Sequence, residues 1–300
     1  MFRLVPIAPC LIAFALNLFE AAPSLAQEPP TNSVSYQIPG TEVFTMTADN
    51  SGEAYRIFVS KPEQPAPNGG FPVLYVLDGN AFFAGFAGER RLEEFGKQAG
   101  GSVIIVGVGY PTDQPYDMLR RLYDFTPAWP VEMPANQISM QDLKAGGNEN
   151  FAQFLLGQLR TEIIKRYPVA PDRQSLFGHS LGGLFALHIL YSRPNAFEAI
   201  IAASPSQWWN DQEILLEERA FSEQLIKGNI SAGVSRLLLL TGEQDKAATI
   251  TWDAEALLGR LSPLSAYGLR TRFEKFEKET HITVPYRAIT PTIRFVSGLP

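Results

Sequence analysis

Apolar positions along the chain fall into two recurring patterns. Runs of strand length, several without polar alternation, occupy 71–77, 103–108, 174–177, 199–203, 236–240 and 271–276. Runs lacking alternation belong to strands covered on both faces. Between the runs lie segments with helical spacing, at 81–97, 148–167, 181–191, 211–225 and 254–261. In 148–167, Phe151, Phe154, Leu155, Leu159 and Ile163 share one helical face, and Pro168 follows the end. A last helix begins near Val284-Pro285, and Pro291 is expected to kink or split it. Ahead of the alternation, strands at 43–47 and 54–60 flank the turn Asp49-Asn50-Ser51-Gly52. The pattern predicts an α/β fold: a mostly parallel central sheet, helices on both faces and an antiparallel N-terminal edge.

One segment breaks the rhythm. Residues 110–147 hold five prolines and no clear period, and read as a long loop. Such loops are functional or disordered. The aromatics Tyr110, Tyr116, Tyr123, Phe125 and Trp129 argue against disorder. Residues 27–33 and 62–70 read as a flexible leader and a surface turn.

The first residues do not read as fold. Arg3 supplies a positive charge, 4–19 are mostly apolar, and Ser24-Leu25-Ala26 offers a small-residue cleavage site. This predicts a signal peptide over 1–26 and a single domain over 27–300. The alternative is a membrane anchor, but Pro6, Pro9 and Glu20 interrupt or bound the run. Cys10 is the sole cysteine, so a cleaved chain has no disulfide, thiolate metal site or cysteine nucleophile. The net charge of −6 is spread among interspersed charges, with no Lys/Arg run to suggest a nucleic-acid partner. No later segment is apolar enough for stable membrane insertion.

In a parallel sheet, ligands sit beyond the carboxyl ends of the strands. The 174–177 strand is followed by Gly178-His179-Ser180-Leu181-Gly182-Gly183 and then a helix. This is G-x-S-x-G in its strand–turn–helix context. A tight turn crowds the positions two residues either side of the serine, which glycine relieves. Ser180 is the expected nucleophile; the plainer reading is a glycine-rich packing turn. His179 is expected to shape the turn and His188 to lie in the core. A serine hydroxyl needs an adjacent base, and His281, after the 271–276 strand, can supply it. The orienting acid is expected after 236–240, where Asp245 is favoured on position and Glu243 competes. The order Ser180, acid, His281 is that of the elbow class. Oxyanion donors are expected at the Leu181 N–H and, after Leu77-Asp78-Gly79, at the Asn80 N–H; an ordinary Asp-Gly turn is the alternative. Such a site requires no metal and no cofactor.

Several stretches together resemble the esterase branch of the α/β-hydrolases, and within it the exported catecholate siderophore esterases. They are Val73 to Gly79, Val106 to Pro111, the R-x-x-D-x-T-P run Arg121 to Pro127, the serine turn, and Ala203-Ser204-Pro205-Ser206 with Trp208-Trp209. The resemblance implies the α/β-hydrolase fold over 27–300, Ser180 and His281 as the catalytic pair, and in some members no acid. It implies a small-molecule ester substrate, the trilactone of an enterobactin-type siderophore, with or without iron. It also implies periplasmic residence, with secretion as the alternative. A pocket for an anionic, aromatic ligand combines arginines with rings. Arg121, Arg90, Tyr110 and Trp209 are the leading candidates, with Arg120, Arg91, Tyr116 and Trp208 beside them. Arg121 could instead pair with Asp124, and the tryptophans could pack under the sheet edge. Rival functions are a general carboxylesterase or thioesterase, an acyltransferase, and a siderophore-binding protein without turnover.

Overall fold

In the computed structural model, residues 35–96, 102–130, 142–231, 236–245 and 254–298 are described. The expected leader, 1–26, lies outside them. Contacts divide the chain after Gln37, and the sheet and its helices belong to the unit beginning at Ile38.

β1 (Thr41–Thr47) and β2 (Ala54–Ser60) form the expected antiparallel edge. β3 (Phe71–Leu77) is buried throughout and leads into α1 (Gly79–Phe95), and β4 (Ile104–Gly109) comes next. The 110–147 segment is not a plain loop. It contains α2 (Met118–Phe125), capped by the Asp117 side chain, which accepts from the Arg120 N–H at 3.1 Å. Residues 131–141 of that segment lie outside the described set.

α3 (Asn148–Gln153), a π-helical turn (Phe154–Leu159) and α4 (Arg160–Arg166) make up the helix expected at 148–167. β5 (Val169–His179) is far longer than the apolar core at 174–177, because it continues through the exposed Pro171-Asp172-Arg173. α5 (Leu181–Ser192) is buried along almost its whole length, which explains its lack of a polar face. β6 (Ala199–Ala203) leads to α6 (Trp209–Gln212) and α7 (Ile214–Ile226). α6 is a left-handed turn, with φ 47°, 54° and 68° at Asn210, Asp211 and Gln212. β7 (Arg236–Gly242), α8 (Ala254–Leu261), β8 (Arg270–Phe276), α9 (Val284–Arg287) and α10 (Ile289–Ser297) complete the chain. The C-terminal helix breaks at Ala288. Pro291 sits in the first turn of α10, where its missing N–H leaves no helical bond unmade.

The eight strands run in the order β1-β2-β4-β3-β5-β6-β7-β8, parallel from β4 to β8. One apolar layer packs α5 and α7 against the sheet, and the other packs α1 and α10. β5 is central and carries Ser180 just past its carboxyl end. Among the described residues, no helix is long and apolar enough to cross a membrane.

Candidate active site

The turn after β5 is strained as a nucleophile turn must be. Ser180 has φ 58° and ψ −118°, a region that non-glycine residues avoid. Neighbouring backbone holds it: the Ser180 N–H donates to the Ala203 carbonyl at 3.0 Å, and its own carbonyl accepts from the Ser206 N–H at 3.0 Å. A Cβ at Gly178 would lie 2.0 Å from the Gly182 carbonyl oxygen, so glycine is required there. The second required glycine is Gly183, whose Cβ would come within 2.9 Å of Pro205 Cα. Gly182 has only ordinary contacts, the nearest at 3.5 Å. The crowding expected on the far side of the serine is therefore displaced by one residue, because α5 presses against the β6 exit at Gly183.

Three side chains converge on this turn from separate strand ends. His281 Nε2 lies 3.0 Å from Ser180 Oγ, and His281 Nδ1 lies 2.8 Å from Asp245 Oδ1. The other carboxylate oxygen accepts hydroxyl bonds from Ser204 and from Thr241, the latter at 3.2 Å. Burial raises the Asp245 pKa, but the bonds from His281, Ser204 and Thr241 outweigh it and hold the carboxyl below its ordinary value. Asp245 is thus an anion at neutral pH. Glu243, the competing acid, is exposed and accepts from the Lys278 N–H at 2.9 Å; it takes no part in this chain of bonds.

Four further contributors take up their places around this chain of bonds in the folded protein. Ser204 and Thr241 hold the acid, and Ser206 Oγ lies 3.2 Å from Ser180 Oγ. His179 is buried, with Nε2 2.9 Å from the His281 carbonyl oxygen. Of these, Ser204 carries a positional signal in the sequence: it stands directly after β6, as Ser180 stands directly after β5. His188 lies on the core side as expected, its two ring nitrogens facing Glu217 at 2.8 Å and Glu149 at 3.0 Å. Burial lowers its pKa, but these carboxylates prevail and raise it.

Leu181 opens α5 and Asn80 lies in the first turn of α1, where helix geometry leaves N–H groups without an intrahelical acceptor. The Asn80 side chain has a separate task. It accepts from the Tyr110 N–H at 2.7 Å and donates to the Tyr110 and Thr112 carbonyls at 3.0 and 2.7 Å. It thereby locks the start of α1 to the exit of β4.

A family model described as "Putative esterase" matches residues 49–249. The chain belongs to this esterase family. Ferri-bacillibactin esterase BesA of Bacillus subtilis is 37% identical over 268 residues, covering 88% of this chain and 91% of its own. The crystal structure of the BES protein from Bacillus cereus superposes with a TM-score of 0.80 at 34% identity, covering 89% of this chain and 98% of its own. Siderophore hydrolase EstA from Aspergillus nidulans gives a TM-score of 0.73 at 28% identity, covering 89% and 98%.

The arginines and rings expected to line this esterase's pocket are mostly engaged elsewhere. Arg90 is wholly buried, bonded to Ser60 Oγ at 3.0 Å and Glu94 at 2.5 Å. Ser60 pairs with Ile105, near the start of β4, so Arg90 sits at the end of the sheet opposite Ser180. Arg121 is buried too, and its ion-pair partner is Asp78 rather than Asp124. Its Nε and Nη2 grip Asp78 Oδ1 and Oδ2 at 2.9 and 3.0 Å. The partner at Asp124 is Arg120, at 3.5 Å, which also reaches Glu53 at 2.8 Å. Tyr110 is at the correct sheet end but buried, its ring beside Tyr55 and under the Arg120 guanidinium. Trp209 is buried and stacked on Trp129, centroids 4.2 Å apart, as the packing alternative had it. Tyr116 is half-buried, edge-on to Phe82 and beneath Arg121.

Proposed function

We propose that this protein is an exported serine esterase that hydrolyses the ester backbone of a catecholate siderophore. The observation that carries the chemistry is the unbroken run of hydrogen bonds Ser180–His281–Asp245 on a strained turn. Ser180 Oγ attacks the ester carbonyl as His281 Nε2 takes its proton, and Asp245 stabilises the imidazolium that forms. The Leu181 and Asn80 N–H groups, aided by the positive ends of α5 and α1, hold the oxyanion. His281 returns the proton to the departing alkoxide, leaving an acyl-serine. Water, deprotonated by His281, attacks the acyl carbon and frees the acid and Ser180. No step needs a metal; iron enters only as the siderophore's cargo.

The substrate class is supported by the names of the relatives, ferri-bacillibactin esterase and siderophore hydrolase, at identities of 37% and 28%. The comparison of kcat/KM on ferric enterobactin, apo-enterobactin and p-nitrophenyl acetate tests it. A trilactone advantage of roughly 10²-fold or more is expected of a site that recognises its substrate by several polar and aromatic contacts. Equal values would point to a general carboxylesterase.

Export rests on Arg3, the apolar 4–19 run and Ser24-Leu25-Ala26. A mature N-terminus at Gln27 in the periplasmic fraction is the expected result of mass spectrometry. An intact N-terminus held in the membrane fraction would favour the anchor.

A further inference from the structure

The residue beside the nucleophile makes a bond that the proton transfer does not use. His179 Nε2 lies 2.9 Å from the main-chain carbonyl oxygen of His281. A carbonyl can only accept, so Nε2 carries the proton and donates. The ring is 4% exposed, tilted against the His281 imidazole at 4.7 Å and edge-on to Phe82 at 6.0 Å. Burial, then the positive charge that His281 gains on taking a proton, then that of Arg121, push its pKa well below the ordinary histidine value, so it remains a neutral donor while His281 cycles its proton. Its own carbonyl is met at 3.5 Å by Arg121 Nη2, the guanidinium that grips Asp78.

We infer that His179 is a positioning residue for His281: it fixes the main chain of the general base while Asp245 fixes the ring, so that the imidazole is oriented by two independent restraints. The loop carrying His281 leaves β8, an edge strand of the sheet, and Ile282, next in sequence, is 77% exposed. Asp245 restrains the ring at Nδ1 and His179 restrains the main chain at the carbonyl. With both in place, Nε2 is held at 3.0 Å from Ser180 Oγ; with one removed, the other still limits the loop. Proton transfer is sensitive to such placement, since displacements of about 1 Å can lower rates roughly 10²-fold.

This inference rests on the reading of His281 as the base, so the test uses p-nitrophenyl acetate turnover and does not depend on the siderophore. Gln places an N–H donor near the position of His Nε2; Phe keeps the ring and removes the donor. His179→Phe is expected to lower kcat about 10-fold or more with KM changed less than about twofold, whereas His179→Gln keeps most of the rate. In an Asp245→Ala background the Phe substitution is expected to be more damaging than in the parent, because the loop then has neither restraint. Parent-like kcat in His179→Phe would overturn the inference. So would equal losses in the Phe and Gln variants accompanied by equal losses of Tm, which would make His179 a packing residue only. Ser180→Ala serves as the control: if it retains turnover, the nucleophile reading fails rather than this one.

Discussion

At the scale of single residues, the site depends on one proton path and on the bonds that keep it aligned. Ser180→Ala is expected to lower kcat by roughly 10⁴-fold or more, leaving only the contribution of the oxyanion donors and binding. Asp245→Asn should lower kcat by roughly 10²- to 10⁴-fold, since an amide at that position favours the wrong imidazole tautomer. Glu243→Gln should change kcat little, within about twofold, because Glu243 is exposed and bonded to the Lys278 N–H, outside the proton path. Steady-state kinetics on one aryl ester checks all three, and an Asp245→Asn enzyme of parental rate would reduce the site to a Ser-His pair. Ser180, His281 and Asp245 were legible because each lies past the end of a strand, in the order of the elbow class. Thr241 and Ser206 were not, because a hydroxyl carries no spacing signature and its role appears only when strand ends become neighbours; Ser204 offered only its place directly after β6.

At the scale of elements, the α5 turn and α2 decide how firmly the site is mounted. Gly183→Ala pushes a methyl into the backbone at Pro205 and should destabilise by about 1–3 kcal/mol. Gly182→Ala, with its nearest contact at 3.5 Å, should change stability by less than about 0.5 kcal/mol; urea melts compare the two. α2 contributes Arg121, which binds the exit of β3 through Asp78 and the exit of β5 through the His179 carbonyl. Arg121→Met leaves the Asp78 carboxylate buried without its cation, and about 3–5 kcal/mol of stability should be lost. If Arg121 instead held substrate, the variant would melt like the parent and lose only affinity. The sequence hid α2 inside a proline-rich stretch. Its start was readable in Asp117, an N-cap residue, but eight residues are too few for a period to emerge. The same short helix explains why the sequence leaves Arg121 open between a ligand and Asp124: its partner lies 43 positions away, at a different strand end.

At the scale of the molecule, one buried carboxyl gives stability a pH dependence of its own. Asp124 lies among Arg120, Tyr55, Tyr110 and Glu53, and burial, outweighing Arg120, pushes its pKa up to about 6. Between its ordinary 3.8 and about 6, the folded state keeps a proton that the unfolded chain has lost. Its contribution to stability therefore falls as pH rises through that window and is flat above it. Asp124→Asn should remove this component, on the order of 3 kcal/mol at most, so that its stability relative to the parent is greater at pH 7 than at pH 4. A stability difference between variant and parent that does not change with pH would show that Asp124 titrates normally.

The chain by itself determined the alternation of strand and helix, the antiparallel edge and the strained serine turn. Each of these is a local matter: side-chain periodicity, glycine at crowded backbone, and apolar runs that need cover on both faces. The sequence also narrowed the acid to two neighbours, since both candidates stand just past β7. Tertiary structure decided between them by pointing Asp245 inward and Glu243 outward. It also set Arg90 and Arg121 in buried ion pairs and Tyr110 and Trp209 in ring packing, and brought His179 against the backbone of His281. Those outcomes depend on which strand ends lie side by side and on where a buried charge finds its counter-ion. Both are long-range properties, fixed by the order of strands in the sheet rather than by any residue's neighbours in sequence.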